Sequence, residues 1–184
     1  MIPRCNMSLP AILLRTPNRR IAAIAVVWFA LDQATKFLVL KLLGKGDERI
    51  ILDGFFKFVH WGNTGAAWSL FRDNNALLAI VALVALLVLF LSRHHFESKT
   101  WLGQIAFGLI VGGIAGNLLD RLLPSRNGVI DFLRFYLNQR GGEEVGFPAF
   151  NLADSGICVG VVLVFWLTWK SEHTPKPAEA VGLK

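Results

Sequence analysis

Ala76-Leu77-Leu78-Ala79-Ile80-Val81-Ala82-Leu83-Val84-Ala85-Leu86-Leu87-Val88-Leu89-Phe90-Leu91 is an unbroken apolar run of sixteen residues. As helix it is roughly 24 Å long, most of the way across a ~30 Å hydrocarbon core. Lipid offers no partner to a bare peptide group, so a run of this kind reads as a membrane-spanning helix. Working outward, three further apolar segments join it, giving spans at about 21–43, 76–92, 101–119 and 150–169. The chain has 184 residues, 54% hydrophobic and only 17% charged. That is too apolar for an ordinary soluble domain and too short for many more spans. The expected fold class is an all-α polytopic membrane protein with four transmembrane helices. A basic leader covers 1–20, the membrane domain 21–169, and a tail at 170–184, with Pro175 and Pro177, is expected to be disordered.

Charge placement sets an orientation. The leader holds Arg4, Arg15, Arg19 and Arg20 and no acid. The segment 93–100 holds Arg93 and Lys99 against Glu97, with His94 and His95. The segments 44–75 and 120–149 each balance four basic against four acidic residues. The positive-inside rule then puts both termini and 93–100 in the cytoplasm, and 44–75 and 120–149 outside. The net charge of +6 reads as this anchoring, not as a nucleic-acid surface. Trp101, Trp166 and Trp169 suit interfacial belts. Asp32 and Lys36 lie within the first span and no small-x-small site follows it, so it reads as a retained helix, not a cleaved signal peptide. Cys5 and Cys158 form no CxxC or Cys/His cluster, so neither a disulfide framework nor a metal or cofactor site is expected. No repeat is visible.

The polar residues at the outer ends of the spans carry the chemistry. Asn117-Leu118-Leu119-Asp120 ends the third span and Asn151-Leu152-Ala153-Asp154 begins the fourth. The spacing puts amide and carboxylate on one helix face, and ionisable groups at membrane depth are read as functional by default. Asp154 sits in the first turn of its helix, as a dipole-pairing cap or as a catalytic acid. Asp120 is followed by Arg121, which favours a structural ion pair over a proton shuttle. Asp131 lies in the apolar phrase Gly128-Val129-Ile130-Asp131-Phe132-Leu133. It is either a solvent-facing strand residue, or a buried carboxyl whose pKa rises from about 3.9 and climbs further beside a second acid. Asp32 and Lys36 stand i,i+4 and can pair. Asn63-Thr64-Gly65 is a turn, or a donor to a peptide backbone. His60 reads as interfacial. No Ser-His, Cys-His or HExxH arrangement is present, so the chemistry on offer is carboxylates and water.

Five motifs in order now carry a resemblance. They are Asp32-Gln33-x-x-Lys36, Asn63-Thr64-Gly65-Ala66-Ala67-Trp68-Ser69, Gly116-Asn117-x-x-Asp120-Arg121, Val129-Ile130-Asp131-Phe132, and Phe150-Asn151-x-Ala153-Asp154-Ser155. Over about 21–169 the chain resembles the bacterial lipoprotein signal peptidase (signal peptidase II) family. The resemblance implies four helices in the inner membrane with a small β-rich element in the external loops. It implies an aspartyl endopeptidase that cleaves diacylglyceryl-modified prolipoproteins before the lipidated cysteine. It assigns the catalytic pair to Asp131 and Asp154. Asn63, Gly65, Asn117, Arg121, Asn151 and Ala153 then line or support the site, and Asp120, Asp32 and Lys36 support structure or the polar site. Membrane lipid and the precursor are the expected partners, nucleic acid is not, and a monomer is expected. The leader, the turn 122–128 and the segment 134–146 are longer than the family pattern. A proton- or ion-coupled transporter with buried acids is the rival reading, though transporters favour midplane sites and repeats. A non-enzymatic assembly factor would not require the acids.

Overall fold

The structure, a computed structural model, describes residues 16–65, 71, 73–93, 100–126 and 128–173. The motif residues Ala66, Ala67, Trp68 and Ser69, the histidines His94 and His95, and nearly all of the leader and tail lie outside them. Helix α1 (Pro17–Leu42) begins with Thr16 as its cap: the hydroxyl accepts the Arg19 N–H at 3.4 Å, and Pro17 fills the first turn, where no N–H is needed. Strands β1 (Glu48–Leu52) and β2 (Phe56–Asn63) follow, then helices α2 (Asn75–Ser92) and α3 (Trp101–Leu122). A short 3-10 turn, Pro124–Arg126, leads into β3 (Val129–Asn138), β4 (Glu144–Gly146) and helix α4 (Leu152–His173). All four helices are long and apolar enough to cross a membrane.

The four helices and a small β element are both present, and all-α describes the molecule only loosely. Four strands form one antiparallel sheet in the order β1-β2-β3-β4. The span limits shift too. Helix α3 continues to Leu122, so Asp120 and Arg121 are helical. Helix α4 starts only at Leu152, because Phe150 is still bridged to Leu133 of β3. It runs on to His173, so the first residues of the expected disordered tail are helix.

Helix α3 is the axis of the molecule, packed between α1 and α4. Glycine makes this approach possible. A Cβ on Gly112 would lie 2.6 Å from the Ala25 carbonyl oxygen of α1, and one on Gly113 2.5 Å from that of Ala153 in α4. Van der Waals contact between closely spaced backbones is what associates helices in lipid. Helix α2 buries Leu78 and Ala79 and half-buries Ala82, Ala85, Leu86 and Leu89, and most of its other apolar residues are exposed, as lipid requires. The sheet joins the bundle through Ile130 and Phe132, which pack on Val39 with Leu43 and Leu152 at the edge. Lys57 clamps the sheet: its ammonium meets Glu48 at 2.5 Å and Glu144 at 2.6 Å, over the Tyr136 ring. Strands β3 and β4, joined through Gly141 and Gly142 at positive φ, account for the long 134–146 segment.

Candidate active site

Asp131 is placed by pairing between β2 and β3. Asn63 opposes Val129 and Trp61 opposes Asp131, so Asn63 is a diagonal neighbour of Asp131 on one face. Its amide donates to Asp131 Oδ2 at 3.0 Å. Asp131 is 3% exposed, so it is no solvent-facing strand residue.

Asp154 is placed by the start of α4. Asn151 caps that helix: its Oδ1 accepts the Asp154 N–H at 2.9 Å, while Asp154 Oδ2 accepts the Asn151 N–H at 3.2 Å. This reciprocal pair is the capping box with Asn and Asp in the two roles. Asp154 is therefore a cap, and its other oxygen still reaches Asn117 Nδ2 at 2.7 Å. The Asn151 amide nitrogen donates to Asp131 Oδ1 at 2.8 Å, so one asparagine touches both aspartates.

Beneath them is a buried ionic cluster. Lys36, with no exposed surface, meets Asp32 at 2.8 Å, Asp120 at 2.7 Å and Asn117 Oδ1 at 3.0 Å, which uses all three of its protons. An ammonium cannot accept, so the oxygen of the Asn117 amide must face it. The amide NH2 is thereby turned toward Asp154. Asp120 also pairs with Arg126, and Gln33 joins Asp32, Asp120 and the Gly116 carbonyl. Asp32 Oδ1 accepts the Ala153 N–H at 2.9 Å, which ties α1 to the first turn of α4.

Asp131 and Asp154 both line a cavity of about 990 Å³, together with Asn63, Gly65, Asn117 and Arg121. Trp61, Phe147, Pro148, Ile157 and Cys158 give it apolar walls. Burial, and then the Asp154 carboxylate, push the Asp131 carboxyl up to about 7 against the pull of Asn63, Asn151 and Lys36. Arg121 donates to the Gly65 carbonyl at 2.8 Å and to Asn75 Oδ1 at 2.9 Å, which fixes a cation in the cavity wall. Two carboxyl groups bridged by Asn151 in one cavity, one of them holding its proton near neutral pH, can activate a water and polarise a carbonyl in a partly dehydrated site.

Of the residues singled out from sequence, Asn63, Gly65, Asn117, Arg121, Asp131 and Asp154 reach the cavity wall. Asn151, Ala153, Asp32, Lys36 and Asp120 are buried behind it. The expected Asp32–Lys36 pair forms. The expected Asp120–Arg121 pair does not: consecutive helical residues point in different directions, so Asp120 turns inward to Lys36 and Arg126 while Arg121 turns to the cavity. Gly65 is a turn residue whose N–H meets Asn63 Oδ1 at 2.9 Å, and the Asn63 amide serves Asp131. His60 lies apart, against the Leu43 carbonyl. Arg126 was not anticipated, because nothing in a Pro-Ser-Arg turn signals a partner on a neighbouring helix.

The sequence profile of the family described as Signal peptidase (SPase) II matches residues 24–170. A lipoprotein signal peptidase from Aeromonas hydrophila is 40% identical over 156 residues, spanning 81% of this chain and 87% of its own. One from Bacillus pumilus is 38% identical over 144 residues, spanning 77% and 87%. A bacterial membrane enzyme solved by the in meso method at 2.3 Å superposes with a TM-score of 0.74 at 27% identity, over 87% of this chain and 93% of that one. The profile match over residues 24–170, relatives at 38% and 40% identity, and a shared overall fold thus agree along nearly the whole membrane domain, and the chain belongs to the signal peptidase II family of peptidases.

Proposed function

We propose that this protein removes signal peptides from prolipoproteins as an aspartyl endopeptidase, with Asp131 and Asp154 as the catalytic pair. The observation that carries the reading is that two carboxyl groups from different elements meet one asparagine and line one cavity. One carboxylate takes a proton from water as the water attacks the scissile carbonyl carbon. The other, protonated, hydrogen-bonds the carbonyl oxygen as it becomes an oxyanion. Collapse of the tetrahedral intermediate breaks the C–N bond, and the proton goes to the leaving amine. The two groups titrate as a unit, so the roles belong to the pair. The substrate is a diacylglyceryl-modified precursor, cut just before its lipidated cysteine. Its acyl chains lie in the bilayer, with the cavity at the external face of the inner membrane, both termini cytoplasmic and the enzyme monomeric.

The test is cleavage of one precursor in two forms, with and without the diacylglyceryl group, by purified protein in detergent. A product whose new N-terminus is the lipidated cysteine, identified by mass spectrometry, and formed at least tenfold faster from the lipidated form, is expected if remote binding energy aligns the scissile bond. Equal cleavage of both forms would contradict the substrate assignment. Proton uptake into vesicles without cleavage would favour transport instead.

A further inference from the structure

We infer that Arg126 is a positioning residue for this pair: it balances the charge of Asp120 and anchors the turn that leads to Asp131. The inference rests on the aspartyl reading above.

The geometry is a short chain of contacts. The Leu123 N–H bonds back to Leu119 and Asp120, and the Arg126 N–H to the Leu123 carbonyl at 3.0 Å, so the turn folds under the end of α3. There the guanidinium grips Asp120 Oδ1 and donates to Gln33 Oε1 at 2.7 Å. The other oxygen of Asp120 faces the N–H of Ile130, the residue before Asp131, at 3.4 Å. Gly128, at φ +111, passes so close to β2 that a Cβ would lie 2.6 Å from the Asn63 carbonyl oxygen. Arg126, Gly128 and Ile130, which precede Asp131 in the chain, are therefore each held in place.

The charges give Arg126 a second effect. Asp32 and Asp120 are carboxylates without exposed surface, and Lys36 and Arg126 are the cations that meet them. Arg121 on α3 and Asp154 on α4 face the cavity next to them, with Asp131 on β3. With Arg126 in place the four-group cluster is neutral. Without it, one negative charge remains in a poorly screened interior, and a nearby carboxyl holds its proton more tightly. The cluster adjoins the site: Asn117 takes the Lys36 ammonium on its oxygen and donates from its nitrogen to Asp154.

The test uses Arg126→Gln, Arg126→Lys and Arg126→His in the full chain, with lipidated precursor and initial rates from pH 5 to 9. Arg126→Gln should lower kcat roughly tenfold with KM nearly unchanged, the pattern of an interaction felt in the transition state. Its alkaline limb should move up by about one pH unit, the order of shift that one added like charge near a buried carboxyl gives. Arg126→Lys should bring the pH profile back. Arg126→His should behave like the wild type at the acid end and like Arg126→Gln at the alkaline end, crossing over above the free imidazole value of about 6.5 because the Asp120 carboxylate favours the imidazolium, which gives the same reading should Arg126→Gln fail to fold. A wild-type pH profile in Arg126→Gln, or in Arg126→His across the whole range, would overturn the inference even if stability fell. Asp154→Asn serves as the control: if it cleaves normally, the aspartyl reading itself fails, whatever Arg126 does.

Discussion

Asp131 accepts one amide from β2 and one from the cap of α4, and it is the acid whose proton affinity stands far from the ordinary value of 3.8, at about 7. A raised carboxyl has a definite linkage sign. Between about pH 4 and 7 the folded protein holds a proton that the unfolded chain has released, so the stability tied to that proton is complete below about pH 4. It is lost as pH rises through about 7. Asp131→Asn, which cannot ionise, should therefore unfold at a higher temperature than the wild type at pH 8, but at a somewhat lower one at pH 4, because its NH2 cannot accept from one of the two amides. Thermal unfolding in detergent at the two pH values reads this, and an unchanged or lower midpoint at pH 8 would contradict it. What was legible at this scale was local. Asp32 and Lys36 are one helical turn apart and pair as their spacing says, and Asn151-x-x-Asp154 forms a cap. The contacts Asn63–Asp131 and Asp120–Arg126 join separate elements, and no sequence spacing encodes them.

Helix α1 carries Asp32, Gln33 and Lys36 on the face that meets α3, and the elements depend on that seam. Lys36→Met would leave Asp32 buried without its cation and Asp120 with only Arg126, a loss of about 3–5 kcal/mol for a broken buried ion pair. Gly112→Ala would push α1 off α3 through its backbone, with a loss of about 1–3 kcal/mol typical of overpacking. Both should lower the unfolding midpoint in detergent, Lys36→Met more; a reversed order would mean that the ionic cluster is not what holds the seam. The helices were legible because apolar runs of this length have few alternatives in lipid. The extent of the sheet was not. Only Val129-Ile130-Asp131-Phe132-Leu133 looked like strand; β1 and β4 are local hairpin partners of β2 and β3, and the four become one sheet through the β2–β3 pairing across a long sequence separation and through the Lys57 clamp.

For the whole molecule, the cavity, the sheet and the polar ends of α3 and α4 lie together, and the proposed orientation turns that end outward. With Cys5 and Cys158 replaced by serine, a cysteine at Arg140 should react with a membrane-impermeant thiol reagent in intact cells, and one at Glu172 only after lysis. The opposite pattern would invert the topology. The central claim is that Asp131 and Asp154 act as one catalytic unit. Its most direct test is the rate of lipidated-precursor cleavage by Asp131→Asn and Asp154→Asn, each shown to be folded. Each should lose at least about a thousandfold in kcat, as single members of a catalytic unit do. Wild-type cleavage by either folded variant would contradict the claim.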